Sequence, residues 1–288
     1  MFKKILIPLD GSELAERSLV LADGLVHERD AEMLLLRVPV LYDDGAATEV
    51  QPTAWDHSEA EAYLKKIQAR REHPRLTIRT QVIAGDAAQV IVDTAVSEAV
   101  DLLVMSTHGR SGFGRSILGS VAERVLRSAP CGMLVARSKQ PMRKLLITLD
   151  GSPLSERVLA PGLEVAQRFG AQVTLLRVCV GSAGRTQQQQ QLQVNGRLNP
   201  DLESRLAMDA RTYLDCLVER EKLAGKVETI VLQGPVAPTI IDYVADEQFD
   251  MVSMATHGFS AQIDMPYGQI TEKVMRWADA SLFIVRPE

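Results

Sequence analysis

A glycine-rich segment between residues 106 and 120 carries the densest pattern of residues that could do chemistry. It reads Ser106-Thr-His108-Gly109-Arg110-Ser111-Gly112-Phe-Gly114-Arg115-Ser-Ile-Leu-Gly119-Ser120. Glycines let a backbone approach a ligand closely, and a helix starting at Gly119-Ser120 would turn free N–H groups toward an anion. His108, Arg110 and Arg115 add donors and positive charge. The segment predicts a phosphate-binding loop; spacing alone equally allows a glycine loop followed by a serine-capped helix.

The chain contains the same series of motifs twice. The stretch 4–12 returns at 144–152, and 35–38 returns at 175–178, both displaced by 140 positions. Thr107-His108-Gly109 returns as Thr256-His257-Gly258, displaced by 149 positions. The nine additional residues of the second copy are assigned to a polar, glutamine-rich loop near 186–191. The repeat predicts two domains, residues 1–140 and 141–288.

Each copy alternates short apolar runs with amphipathic stretches. In the first copy, strands are predicted at 4–9, 32–38, 76–83, 102–106 and 133–136, and helices at 87–99 and 119–127. Two further helices are predicted with inward faces formed by Ala15, Leu19, Ala22 and Val26, and by Ala60, Leu64 and Ile67. This alternation indicates an α/β fold with a parallel sheet covered on both faces. Its ligand would bind beyond the carboxyl ends of the strands, where Asp10, Val38, Gly85 and Thr107 are expected.

Composition excludes several function classes. Lys and Arg total 32 against 37 Asp and Glu, a net charge of −5, which argues against nucleic-acid binding. Because neither a spanning apolar run nor a signal peptide is evident, a cytoplasmic protein without membrane contact is expected. The three cysteines lack paired spacing and are interpreted as small buried hydrophobic residues. No cluster of residues has metal-ligand spacing, so any Mg²⁺ is expected to arrive with the phosphates of a ligand.

These motifs resemble those of the universal stress protein family. The family's nucleotide motif, Gly-x2-Gly-x9-Gly-Ser/Thr, is similar to Gly109, nine residues and then Gly119-Ser120, with Ser106 in place of the first glycine. The opening Ile-Leu-Ile-Pro-x-Asp-Gly-Ser and the sequence 121–127, Val-Ala-Glu-Arg-Val-Leu-Arg, are similar as well. Both copies resemble the family, so the likeness covers nearly the whole chain, which is typical of family members with two such domains in tandem.

The resemblance implies a fold and an assembly. Each domain would be a doubly wound parallel five-stranded sheet, Rossmann-like and similar to the adenine nucleotide alpha hydrolases. The two domains would pack as a pseudo-dimer through their final strands, 133–136 and 282–285. A homodimer or an unidentified protein partner is also compatible with the sequence.

The resemblance further implies an ATP site in the first domain, with Mg²⁺ carried by the phosphates. Asp10 would bind the ribose or adenine, above a turn shaped by Pro8 and Leu9, and the Val38 backbone would meet the adenine edge. The complete set of candidate residues is Pro8, Leu9, Asp10, Val38, Ser106, His108, Gly109, Arg110, Ser111, Gly112, Gly119, Ser120 and Val121. An alternative role for Asp10 is to cap the first helix, and the two roles are compatible.

The second domain departs from the nucleotide motif. Gln269 stands in the place of Ser120, Phe259 in that of Arg110, and Asp264 in that of Arg115. Since a carboxylate repels phosphate oxygens, this site is expected to be weakened or empty. Its glycines could persist because the turn requires them, and His257 is interpreted as a structural residue.

Three functions remain open from the sequence. The first is a regulatory, stress-response ATP-binding protein that is not an enzyme. The second is a slow ATP hydrolase or adenylate-transferring enzyme, against which stands the absence of a Gly-x4-Gly-Lys-Ser/Thr lysine. The third is an interaction scaffold that does not need nucleotide.

Overall fold

A computed structural model describes residues 2–26, 30–39, 54–71, 74–106, 119–137, 142–179, 193–194, 197–198, 200–256 and 268–286. The chain divides into two compact units, Met1–Lys139 and Gln140–Glu288. Both units are built from alternating strands and helices.

The first unit is a parallel sheet of five strands with four helices. Its elements are β1 (Lys4–Pro8), α1 (Glu13–Val26), β2 (Ala31–Arg37), α2 (Ala54–Ala69), β3 (Leu76–Val82), α3 (Ala87–Ser97), β4 (Leu102–Ser106), α4 (Ser120–Ser128) and β5 (Gly132–Ala136). Neighbouring strands pair in parallel in the order β3-β2-β1-β4-β5. The predicted doubly wound α/β fold is therefore confirmed.

Burial explains why the strands are apolar throughout. Ile5, Leu6 and Ile7 of β1 have no exposed surface, because helices cover both faces of the sheet. The predicted inward faces of α1 and α2 are buried at every position named for them. Apolar residues that recur every three to four positions form one face of each helix, and this face packs on the sheet.

The second unit repeats this plan. Its elements are β6 (Lys144–Thr148), α5 (Pro153–Glu156), α6 (Leu159–Phe169), β7 (Gln172–Cys179), β8 (Gln193–Val194), β9 (Arg197–Leu198), α7 (Pro200–Arg220), β10 (Val227–Gln233), α8 (Val236–Asp246), β11 (Met251–Ala255), α9 (Gln269–Trp277) and β12 (Ser281–Val285). The five long strands pair in parallel in the order β10-β7-β6-β11-β12. The short strands β8 and β9 form an antiparallel pair.

One helix of the first unit is broken in the second. The counterpart of α1 is split into α5 and α6, with the break at Arg157 and Val158. Pro161 cannot donate the helical hydrogen bond to residue 157, and its ring crowds that carbonyl. The chain closes tighter turns there instead, with Arg157 N–H donating to the Leu154 carbonyl at 3.3 Å.

The cysteines differ from the expectation of buried hydrophobic residues. Cys216 is exposed, whereas Cys131 and Cys179 are partly buried, and all three are free. Cys216 lies on α7 outside the stripe formed by Ala210, Leu214 and Leu217, which is the face that packs on the sheet. The expectation is wrong for Cys216 because helix position, rather than residue type, decides its burial.

The described residues contain neither a membrane-spanning helix nor a cluster of metal-binding side chains. No helix in these ranges is long and apolar enough to cross a membrane. No three His, Cys, Asp or Glu side chains within the same ranges are grouped so that they could hold a metal ion.

Candidate functional site at the carboxyl ends of β1 and β4

The strand order of the first unit reverses direction between β1 and β4. The two strands are neighbours, with Ile5 opposite Leu102 and Leu6 opposite Leu103. From β1 the chain proceeds to β2 on one side, whereas from β4 it proceeds to β5 on the other. Helices that leave such a switch point diverge, and ligands of open α/β sheets bind in the gap. Asp10 follows β1 and Ser106 ends β4, so both lie at this edge.

The turn after β1 is held by its own side chains. Asp10 Oδ1 accepts hydrogen bonds from Ser12 N–H at 2.9 Å and from Ser12 Oγ at 2.6 Å. Ser12 Oγ in turn accepts from Ala15 N–H at 3.1 Å, so Ser12, rather than Asp10, caps α1. Pro8 ends β1, and the buried Leu9 continues the ladder by donating its N–H to the Leu36 carbonyl at 2.8 Å. The turn therefore presents Asp10 in a fixed position.

A cluster missed by sequence reasoning supports this turn. Arg37, the last residue of β2, donates from Nη1 to the Leu9 carbonyl at 3.3 Å and lies 5.5 Å from the Tyr63 ring centre. Tyr63 donates its hydroxyl to Glu16 Oε1 at 3.0 Å. Burial, with that bond to Glu16, raises the pKa of Tyr63 above its usual range, so the phenol stays a neutral donor.

The glycine of the turn leaves room for this arginine. Gly11 has a φ of +80°, and a Cβ built on it would lie 2.9 Å from Arg37 Nη1. A side chain here would be strained by the backbone conformation and would require the guanidinium to move.

The second unit contains the same cluster. Arg177 lies 4.6 Å from the Tyr213 ring centre, and Tyr213 donates to Glu156 Oε1 at 3.0 Å. Asp150 Oδ1 accepts from Ser152 N–H at 2.9 Å, matching the turn of the first unit. Asp10, Glu16 and Arg37 recur 140 positions later and Tyr63 recurs 150 positions later, so their recurrence in the second copy is the sequence signal that points to these residues.

The start of α4 differs from the serine-capped helix that the sequence also allowed. Gly119 is the N-cap, with φ −60° and ψ 148°, and no side chain caps the helix. Ser120 is already the first helical residue and is exposed, while Val121 is partly exposed. The alternative of a serine-capped helix does not hold, because the extended residue before the helix is Gly119, which leaves the Ser120 hydroxyl outside that role.

Glycine at these helix starts is not required by the backbone. The φ of Gly119 is available to any residue, and Gly268, the N-cap of α9, has a similar φ of −70°. A Cβ on Gly268 would lie 3.5 Å from the Thr256 carbonyl oxygen, an ordinary contact. The expectation that the turn needs Gly268 is therefore wrong.

The remaining predicted residues divide into two sets. Val38 directly follows β2 and is partly exposed, as is Ser106 at the end of β4. The loop residues His108, Gly109, Arg110, Ser111 and Gly112 lie outside the described residues. The structure thus brings Pro8, Leu9, Asp10, Val38 and Ser106 to the ends of β1, β2 and β4.

A second polar contact joins α3 to α4 at the same end of the sheet. Asp86 caps α3 by accepting from Gln89 N–H at 3.0 Å, and its two carboxylate oxygens each accept from Arg124 at 2.8 Å. The hydrogen bond from Arg124 is the main cause that lowers the pKa of Asp86 below its usual value. The pair is charged at neutral pH and links the N-cap of α3 to the middle of α4.

Comparison with known proteins identifies relatives of both units. The model of the "Universal stress protein family" matches residues 1–137 and 141–286. A universal stress protein of Methanocaldococcus jannaschii is 33% identical over 150 residues, covering 48% of this chain and 83% of that protein. One from Methanothermobacter thermautotrophicus is 33% identical over 147 residues, covering 48% of this chain and 97% of that protein.

Solved structures match the chain over almost its full length. A universal stress protein from Archaeoglobus fulgidus has a TM-score of 0.71 and 19% identity, covering 98% of this chain and 98% of that one. A protein from Pseudomonas aeruginosa has a TM-score of 0.72 and 17% identity, covering 99% of this chain and 93% of that one. At these identities the likeness establishes the fold.

Proposed function

We propose that this chain, which belongs to the universal stress protein family, binds ATP at the carboxyl ends of β1 and β4 in its first unit and serves as a regulatory stress-response module. One observation carries the proposal. The strand switch brings Asp10, Ser106 and the beginning of α4 to one edge, and α4 begins there without a side-chain cap.

The chemistry of this edge suits a nucleotide. The first N–H groups of a helix and its dipole favour an anion, so phosphates would lie against Gly119, Ser120 and Val121. A carboxylate such as Asp10 accepts hydrogen bonds from ribose hydroxyls at the corresponding edge of other nucleotide-binding sheets. Mg²⁺ would be held chiefly by the phosphates, in keeping with its reluctance to lose water.

Regulation is favoured over catalysis. Hydrolysis would need a group that orients the attacking water and cations that stabilise the transferring phosphoryl group. The sequence offers no lysine in a Gly-x4-Gly-Lys-Ser/Thr loop. ATP binding without hydrolysis would still shift a conformation or an interface that other proteins recognise.

The second unit is proposed to bind ATP weakly or not at all. Gln269 begins α9 where Ser120 begins α4, and Ala255 ends β11 where Ser106 ends β4. Both substitutions remove a hydroxyl that could donate to a phosphate oxygen.

The test is nucleotide retention measured beside turnover. Protein incubated with MgATP and freed of excess ligand should release intact ATP on denaturation, and hydrolysis should be slower than ATP dissociation. Fast multiple turnover would show an enzyme instead, and absence of bound nucleotide would favour a scaffold.

A matched pair of variants sharpens this test. Asp10→Asn and Asp150→Asn each keep the oxygen that accepts from the serine N–H but remove the charge. We expect Asp10→Asn to weaken ATP binding by about tenfold, because a charged hydrogen-bond acceptor is lost, and Asp150→Asn to leave it unchanged.

A further inference from the structure

The contact between Asp86 and Arg124 occurs only in the unit with the intact nucleotide motif. At the corresponding positions of the second unit stand Pro235 and Lys273. Pro235 is the N-cap of α8 and supplies no side-chain hydrogen bond, so that unit cannot form the pair. The difference between the units therefore extends from the loop residues to a contact between α3 and α4.

Stability alone is a weak reason for this contact. The side chains of Arg124 and Asp86 are 56% and 51% exposed. Exposed ion pairs contribute little to folding, because water screens the charges and two long side chains lose freedom. The α3 cap does not depend on the arginine either, since Asp86 accepts from Gln89 N–H directly.

The position of Arg124 points to a ligand of the nucleotide site. Arg124 follows Ser120 by four residues, about 6 Å or one turn along α4. Side chains on a helix lean toward its N-terminus, so the guanidinium is directed to the end where phosphates are proposed to bind. Its present partner is itself an anion at a helix start, held by two hydrogen bonds of 2.8 Å.

We propose that Arg124 is a phosphate ligand of the ATP site and that the Asp86 carboxylate is its internal competitor when nucleotide is absent. This inference rests on the proposed function. On binding, Arg124 exchanges a carboxylate for a phosphate oxygen, and Asp86 keeps its hydrogen bond from Gln89. The exchange is favourable because a charged bond to phosphate in a site with oriented N–H groups outweighs an exposed ion pair.

Two substitutions separate the two halves of the proposal. Arg124→Gln removes the charge that would meet the phosphates. Asp86→Asn removes the competing charge while retaining a side chain that caps helices well, so α3 should remain intact. Arg127→Gln is the matched control, since Arg127 is on the same helix but pairs with Glu123 Oε1 at 2.9 Å.

The experiment is calorimetric titration of each full-length variant with MgATP, and with adenosine as a competitor that lacks phosphates. We expect Arg124→Gln to weaken the binding of ATP by about tenfold and the binding of adenosine by less than about twofold. Asp86→Asn should strengthen ATP binding by about two- to fivefold, and the double variant should behave as Arg124→Gln does. Arg127→Gln should match the wild type.

Several results would overturn the proposal. Unchanged ATP affinity in Arg124→Gln, or equal losses for ATP and adenosine, would show that Arg124 does not bind phosphate. Weaker ATP binding in Asp86→Asn would show that Asp86 supports the site rather than competing in it. Folded wild-type protein that binds no ATP would overturn the proposed function together with this inference, whereas the other results leave that function standing.

Discussion

Replacing Gly11 with alanine tests how the turn after β1 serves the site. The φ of +80° is costly for any residue with a Cβ, and that atom would lie 2.9 Å from Arg37 Nη1. The guanidinium must then withdraw from its contact with Tyr63. Because Asp10 precedes Gly11 directly, the same change would displace the proposed ribose ligand. Gly151→Ala is the matched control, with a φ of +87° and Arg177 Nη1 at the same 2.9 Å.

The magnitude follows from three contributions. The left-handed backbone conformation costs an alanine about 1–2 kcal/mol. Loss of the contact between arginine and tyrosine adds about 0.5–1 kcal/mol. The alanine also reduces the conformational freedom of the unfolded chain, which offsets about 0.4–1 kcal/mol of this destabilisation. Each variant should therefore lower the free energy of unfolding of its own unit by about 1–2 kcal/mol, because the surroundings of the two glycines are alike.

The assay combines unfolding with ligand binding. The chain has two tryptophans, Trp55 and Trp277, one in each unit, so a Trp→Phe background makes fluorescence report on one unit at a time. We expect similar losses of stability, but at least about tenfold weaker ATP binding only in Gly11→Ala. Equal ATP affinities in the two alanine variants would refute the view that this turn presents Asp10 to the nucleotide.

Three further predictions follow from individual contacts. The Ser253 hydroxyl is buried on β11 without a hydrogen-bond partner among the described residues, so Ser253→Ala should preserve stability or raise it by up to about 1 kcal/mol in urea unfolding. The control Thr271→Val should lose about 1 kcal/mol of unfolding free energy, since Thr271 Oγ1 donates to the Ala255 carbonyl at 3.0 Å. A larger loss in Ser253→Ala than in Thr271→Val would contradict the reasoning. Hydrogen bonds from Arg79 and Lys4 lower the pKa of Glu98 to about 2 from the usual 4.5. Its stabilising effect is therefore complete above pH 4.5 and lost as the pH falls toward 2, so Glu98→Gln should flatten that part of the acid-unfolding profile, and an unchanged profile would contradict this. Finally, nucleotide-free protein should contain no stoichiometric metal by atomic emission, and Mg²⁺ should be retained only together with ATP.

The fold could be predicted from the sequence because the strands are continuous apolar runs. The predicted strand at 102–106 agrees with β4 at both ends, and Leu102, Leu103 and Val104 have no exposed surface. A run buried on both faces gives an unambiguous pattern. The break between α5 and α6 was not predicted, although the sequence contains its cause, since Pro161 stands where α1 has Leu21.

Contacts between separate elements could not be predicted in the same way. Arg37 meets Tyr63 because α2 docks beside β2, and Arg124 meets Asp86 because α3 packs against α4. Neither pair has a periodic spacing, so only tertiary structure brings the residues together. The serine-capped alternative could not be decided from the sequence for a local reason. Glycine and serine both suit an N-cap, and whether the helix begins one residue earlier or later determines which of them occupies that position.

The central claim is that ATP binds in the first unit and not comparably in the second. It is tested most directly by calorimetry of MgATP binding to the wild type, Gly109→Val and Gly258→Val, because a β-branched side chain would fill the space that the proposed phosphate loop leaves open. The account predicts one strong site per chain that Gly109→Val abolishes and Gly258→Val spares. Two equal sites in the wild type, or loss of binding in Gly258→Val alone, would contradict it.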